Sequence, residues 1–268
     1  MRKTRSVPAS HKRHSKQTSR LKDSGHNKTT NKENEAALQR LQQSILFEDS
    51  RFLILNKPSS MAVHGGSGVS YGVIEGLRAL RPKAPYLELA HRLDRDTSGC
   101  LVIAKRRSAL RAFHKQQQEG HVNKFYLTLV KGQWKGGSRK IKAPLLKTEL
   151  KSGERIVRVS SKGKHAISFF SPIERFKQAT LMRVKLVTGR THQIRVHAQY
   201  TGHPIAGDPK YGDASFNHEM SEIGLHRLYL HAESILFTLP DVRTYDIRAP
   251  LDLSLELPLS MAKEFLRK

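Results

Sequence analysis

The chain changes texture near residue 44, and that break limits how much of it can fold. Up to Asn34 it carries ten lysines or arginines against two acidic residues, Asp23 and Glu33. Its only large apolar side chains there are Met1, Val7 and Leu21. So little apolar surface does not offset the entropy of ordering a chain. Residues 1–44 are therefore expected to form a basic disordered arm. Leu38 and Leu41, three apart, allow a short helical lead-in over 35–43. Charge alone leaves two uses open for such an arm, nonspecific RNA affinity or solubility. The whole chain has a formal net charge of +25, with 48 Lys and Arg against 23 acidic residues. That excess points to a polyanion as partner, and nucleic acid is the natural one because each neutralised phosphate releases condensed counterions.

From Ser44 onward, apolar residues recur with structural periods. Ile45–Phe47 and Phe52–Leu55 flank a polar Glu48–Arg51 stretch and read as a hairpin-like start. Val73, Ile74, Leu77 and Leu80 fall at helical spacing before Pro82. Cys100–Ala104 reads as a buried strand, and Ser108–Glu119 as a helix stopped by Gly120, with Leu110 and Phe113 inward. Phe125–Val130, Thr180–Val187 and Leu228–Phe237 are strand candidates. Thr191 is the expected cap of a short helix ending at Gly202. Strands and helices mix without a regular βαβ alternation, so the fold class is α+β, with a largely antiparallel mixed sheet flanked by helices and loops over residues 45–268. The single cysteine, Cys100, rules out an internal disulfide and reads as a small buried hydrophobe. With no membrane-length apolar run and no apolar leader, the expected location is the cytoplasm.

The densest chemistry lies at Glu88–Cys100, where Asp94 and Asp96 sit among Arg92 and Arg95 just before an apolar strand. Flanking cations favour ionised carboxylates, and a positioned carboxylate can act as a nucleophile. On spacing alone, a polar loop whose acids balance its arginines is the equal alternative. After Gly189, His192, Arg195, Val196 and Gln199 share one helical face, with Ile194 and Ala198 behind it. That face aims Arg195 at a site or is an ordinary basic surface. The fourteen histidines do not make a metal site. His192 and His197 are five apart rather than four, and His91, His114 and His121 have no zinc spacing with cysteine. Gly65–Gly68 lacks the Gly-Lys-Ser/Thr ending of a phosphate-binding loop. Trp134 reads as core or an edge anchor.

The stretch His91-Arg-Leu-Asp-Arg-Asp-Thr-Ser-Gly99 resembles the signature of the RluA-type pseudouridine synthases. Leu55-Asn-Lys-Pro58 with Val63-His-Gly-Gly66, Lys124–Val130, Thr188–His197 and His203–Asp208 resemble the family's other segments, in the same order. The resemblance covers about residues 45 to 250. It looks closest to the large-subunit rRNA members, especially at Ala62–Arg81 and Ser152–Val159. What it implies is a pseudouridine synthase catalytic fold acting on structured RNA. Asp94 matches the catalytic aspartate, and Tyr126 the tyrosine that stacks on the target base and is implicated in moving its C5 proton. Arg195 matches the basic partner of the aspartate. Arg92 matches the arginine that enters the RNA helix in place of the flipped base. Arg190 is expected close by, and His91 beside the RNA.

That chemistry breaks the N1–C1′ bond, turns the uracil and joins C5 to C1′. It transfers no net electrons and consumes no water, so neither a cofactor nor a metal is required. Because the leaving uracil anion must return, one carboxylate suffices where glycosidases use two. Uridine must first leave its stack, at a cost of a few kcal/mol. Arg92 can fill the gap, and Tyr126 offers a π-face to the extruded base. The expected partner is large-subunit rRNA, with no membrane and no DNA, and the expected state is a monomer. The alternatives are tRNA or another structured RNA as substrate, or a noncatalytic RNA-binding assembly factor. Large-subunit rRNA members carry a small N-terminal RNA-binding domain where this chain has only the basic arm, which puts the RNA target in question.

Overall fold

A computed structural model describes residues 35–65, 72–149 and 155–265. The expected basic arm up to Asn34 lies outside the described residues, as do Gly66–Gly68 and the Ser152 end of the stretch that resembled the large-subunit rRNA members. The chain divides after Ala36. A first helix, α1, spans residues 35–43. Its Leu41 is only 1% exposed and belongs to the main core, so the folded part begins several residues before position 44.

The elements after α1 follow in order: β1 (Ile45–Glu48), β2 (Phe52–Lys57), α2 (Val73–Leu80), β3 (Glu88–Leu89), β4 (Ser98–Ala104), α3 (Arg107–Gln118) and β5 (Asn123–Lys131). Next come β6 (Arg139–Lys142), β7 (Leu145–Glu149), β8 (Arg155–Val159), β9 (Ile167–Arg175), β10 (Ala179–Leu186) and α4 (Gln193–Tyr200). The chain closes with α5 (Ala214–Glu222), β11 (Leu230–Thr238), β12 (Thr244–Arg248) and α6 (Leu253–Phe265). The central sheet runs β1-β2-β4-β11-β5-β10-β9-β6, with β12 on β11 and β3 on β4. Every pairing is antiparallel except β4 with β11. This is the α+β architecture that the irregular alternation of elements implied.

The apolar runs form the middle of the sheet because both faces there are covered. Every residue of β4 is buried, and β2 is buried at Phe52–Leu55. Cys100 sits in that run, 2% exposed, with its thiol pushed up to about 12, first by burial. Trp134 is fully buried and stacks on Phe170. A second, smaller core lies under the β7–β8 hairpin, where Leu145, Val157, Ala166, Val196 and Tyr211 meet. Helix α4 runs between the two cores, and Gln193–Ala198 are all buried. Ile194 and Ala198 join the main core while Val196 joins the smaller one.

At the β4–β11 junction Gly99 faces Ala232 with φ +105°, and a Cβ there would lie 2.3 Å from the Ala232 carbonyl oxygen. Only glycine allows that approach. The loop carrying Asp94 enters β4 one residue earlier, so this close approach fixes where the loop ends.

Candidate active site

Asp94 stands in the loop between β3 and β4, where its carbonyl accepts from the Thr97 N–H at 3.2 Å. The loop is held by main-chain carbonyls rather than by its acidic side chains. Lys57, fully buried at the end of β2, donates from Nζ to the carbonyls of Pro58, Met61 and Arg95 at 2.7, 2.9 and 2.9 Å. Ser59 Oγ donates to the Asp96 carbonyl at 2.8 Å, and Arg95 Nε returns a bond to the Ser60 carbonyl. Three acceptors match the three protons of an ammonium. Burial, then the charge of Arg227, pushes the Lys57 pKa down to about 7. On the far side, Arg227 donates to Ser98 Oγ at 2.7 Å, and Ser98 in turn bonds His231 Nδ1 at 2.9 Å.

Two clefts meet at Asp94. One, of about 520 Å³, is lined by Asp94, Tyr126, Lys124, Arg92, Arg190 and His192 among others. The second, of about 480 Å³, shares Arg92, Asp94, Arg190 and His192 and adds Arg195. The residues expected together, Asp94, Tyr126, Arg195, Arg92 and Arg190, do converge here. Tyr126 lies on β5 opposite Val184 of β10 and is 6% exposed. Its phenol pKa is raised, first by burial and then by the charge of Asp94, so the hydroxyl keeps its proton. Lys124, two residues earlier on the same face, has its pKa lowered to about 8 by burial. Arg92 and Arg190 are exposed at the cleft walls. Arg190 Nε donates to the His165 carbonyl at 3.1 Å.

Arg195 approaches Asp94 at 3.9 Å but forms its main pair elsewhere. Nε and Nη2 each donate to Asp208 at 2.7 Å, and the guanidinium lies 4.9 Å over the Tyr211 ring. Burial opposes the Arg195 charge, yet Asp208, followed by Asp94, outweighs it and raises the pKa. Burial likewise opposes the Asp208 charge, and Arg195 with the N–H groups of Tyr211 and Lys210 holds it below the usual carboxylate range. The bidentate fork on Asp208 orients the guanidinium so that its remaining edge faces Asp94.

Helix α4 is placed by Gln193, whose Oε1 accepts from the Arg190 N–H and the Thr188 hydroxyl. Its Nε2 donates to Ile167 O and Ser168 Oγ. The expected Thr191 cap does not occur. His192 holds the N-cap position in the left-handed region with no side-chain cap bond. Gln199 is exposed rather than facing the site. His91, expected beside the RNA, is half-buried and lines the 520 Å³ cleft, where its Nε2 accepts the Val102 N–H at 3.2 Å and its ring stacks on Phe113. Burial, then Lys124, pushes its pKa down to about 3, so the ring stays neutral. Asp208, Tyr211, Lys57 and His192 had no role assigned from sequence. Lys57, His192 and Asp208 each lay in a segment singled out by resemblance, Leu55–Pro58, Thr188–His197 and His203–Asp208, whereas Tyr211 carried no such signal.

A model of the RNA pseudouridylate synthase family matches residues 51–200. The chain is 59% identical over 225 residues to a ribosomal large subunit pseudouridine synthase C of Pasteurella multocida, covering 84% of this chain and 69% of that one. It is 58% identical over 211 residues to the protein of the same name from Escherichia coli K12, covering 78% and 66%. Human RNA pseudouridylate synthase domain containing 4 has a similar fold, with a TM-score of 0.71 at 23% identity over 87% of this chain and 98% of that one.

Proposed function

This chain belongs to the RNA pseudouridylate synthase family, and we propose that it isomerises particular uridines of large-subunit ribosomal RNA in the cytoplasm, as a monomer, with Asp94 as nucleophile. The observation that carries this reading is a carboxylate uncommitted to any hydrogen-bonded side chain among the described residues, 3.9 Å from a buried guanidinium in a cleft shared with Tyr126. The names of its large-subunit relatives support the choice of RNA.

In this mechanism Arg92 takes the place of the flipped uridine in the RNA stack, and the base enters the cleft against Tyr126. Asp94 attacks C1′, or promotes departure of the base, as N1–C1′ breaks and leaves a delocalised uracil anion. The base turns and C5 joins C1′ as any Asp94–C1′ bond breaks and returns the carboxylate, and the C5 proton is removed while N1 gains one, so atoms balance without an external reagent. Tyr126 is a poor base while Asp94 is charged, because that charge helps hold its proton on. Covalent attack consumes the charge and eases proton transfer through Tyr126 at the step that needs it. Arg190 and the exposed edge of Arg92 meet phosphates at the cleft mouth. The basic arm up to Asn34 adds sequence-independent affinity.

The test is to map pseudouridine in unmodified large-subunit rRNA after incubation with wild type and Asp94→Asn. Discrete new sites with wild type alone are expected, with RNA affinity of the variant nearly unchanged. Substantial turnover by Asp94→Asn would sink the nucleophile assignment. Sites that appear only in tRNA would move the substrate, and no sites in any bound RNA would favour a noncatalytic assembly role.

A further inference from the structure

One polar edge of the cleft takes no part in the mechanism above. His192 has φ 53°, unusual for a residue with a side chain. Such a conformation persists where the surroundings over-determine it. Its Nδ1 lies 2.8 Å from the Tyr211 hydroxyl, which also accepts the Val157 N–H at 3.0 Å. A phenol has a single proton to give, and His192 Nδ1 is the acceptor beside it. Tyr211 therefore donates to Nδ1, and the neutral ring carries its own proton on Nε2. With Nδ1 turned to Tyr211, the Nε2 edge is left for the two clefts that His192 lines beside Asp94. Among the described residues Nε2 has no hydrogen-bond partner.

We propose that His192, fixed as the Nε2–H tautomer by Tyr211, donates a hydrogen bond to an acceptor oxygen of the flipped uridine, with Tyr211 as its positioning residue. This rests on the pseudouridine synthase reading above. A neutral donor suits the place better than a cation does. An imidazolium here would pair with Asp94 and occupy the nucleophile, whereas a neutral N–H stabilises charge developing on the flipped uridine as its base departs. The surroundings favour the neutral ring. Burial lowers the His192 pKa first, Asp94 opposes that, Arg195 and Lys210 reinforce it, and Asp208 opposes it again. The same Tyr211 hydroxyl holds Val157 of β8, so the β7–β8 hairpin and the donor are registered to one another.

The tautomer is read directly from nitrogen-15 NMR of the full chain, with His192 assigned by the signal that disappears in His192→Gln. The Nε2–H form is expected in wild type and a loss of its dominance in Tyr211→Phe. In single-turnover assays on the RNA that wild type modifies, His192→Ala should slow the reaction on the order of 10²-fold, the usual effect of removing one such donor, with little change in RNA Kd. His192→Gln, which keeps an N–H near the Nε2 position, should restore part of the rate. Tyr211→Phe keeps the ring under Arg195, and its defect should deepen as pH falls, because the neutral form has lost its donor and protonates more readily. A target 2′-deoxyuridine that erases the difference between wild type and His192→Ala identifies the ribose hydroxyl as acceptor, and a persisting difference identifies the base or phosphate. A wild-type Nδ1–H tautomer, a wild-type rate in His192→Ala, or an unchanged pH profile in Tyr211→Phe would overturn the proposal. Wild type that modifies no RNA at all would overturn the parent reading, and this one with it.

Discussion

Replacing Asp208 with asparagine should be far more costly than its position away from the reacting atoms suggests. The side chains of Arg195 and Asp208 are 6% and 0% exposed, joined by two bonds of 2.7 Å. Removing one partner of a buried pair costs about 3–5 kcal/mol, because the survivor remains charged in a poor solvent. Two features moderate this. The amide oxygen can still accept from the Lys210 and Tyr211 N–H groups, and Asp94 remains 3.9 Å from the guanidinium. The expected loss is therefore at the lower end, about 3 kcal/mol. For a chain of this size that lowers Tm by roughly 6–12 °C. Glu233→Gln is the control, since its 2.8 Å pair with Arg183 is 20% and 36% exposed and should cost about 1 kcal/mol or less. Urea unfolding at constant m reads both. The pH dependence has a defined sign. Asp208 has a depressed folded pKa, so its contribution is present above the unfolded value, about 3.9, and is lost as pH falls through the folded one. That acid limb should be missing from Asp208→Asn. Pairing the change with Arg195→Met removes both charges and should recover at least about 1 kcal/mol over the sum of the single changes. An Asp208→Asn variant as stable as Glu233→Gln, or strict additivity in the double variant, would refute the reasoning.

Two further outcomes follow from the same geometry. Deleting residues 1–34, which spares α1 and its buried Leu41, should weaken RNA binding and flatten its salt dependence. The log–log slope should fall by up to about 0.7–0.9 for each phosphate that the arm no longer neutralises. An unchanged salt slope would reduce the arm to a solubilising tail. Lys57→Met should leave three carbonyls without their donor and slow isomerisation more than it weakens RNA binding. Because the Lys57 pKa falls to about 7 on folding, the unfolded state binds more protons between about 7 and 10. Wild type should therefore gain stability relative to Lys57→Met as pH rises through that window, and parallel curves would contradict the burial of its charge.

What the sequence revealed follows the range over which each feature is determined. The apolar runs of β2 and β4 and the alternation of β10 were readable because burial writes a period into adjacent residues. Strand β6, Arg139–Lys142, was not, since its polar residues pair at an exposed sheet edge, and neither was the β7–β8 hairpin, which pairs only with itself over the small second core. The parallel pairing of Ser98 and Gly99 with His231 and Ala232 joins residues more than a hundred positions apart, and no local pattern announces it. The same division runs through the site. Asp94, Tyr126 and Arg195 were found through motifs, whereas the choice of Asp208 as the stronger partner of Arg195 is set by three-dimensional packing. Thr191 had the chemistry of a cap, but the chain turns left-handed at His192 and places the helix start one residue later.

A reaction served by one carboxylate needs that carboxylate placed accurately and kept free. Here the two requirements are met by different atoms. Accuracy comes from the backbone: Lys57 and Ser59 bind the carbonyls of Arg95 and Asp96, Arg227 binds Ser98, and Gly99 closes against Ala232. None of these bonds involves the Asp94 side chain. Freedom comes from Asp208, which takes both strong bonds of Arg195 and so keeps a permanent cation near Asp94 without letting it close the ion pair. Were Asp208 absent, the guanidinium would find its only described counter-charge in the nucleophile itself. The buried pair is therefore better understood as a restraint on Arg195 than as a source of stability, which is why its loss should lower kcat as well as Tm.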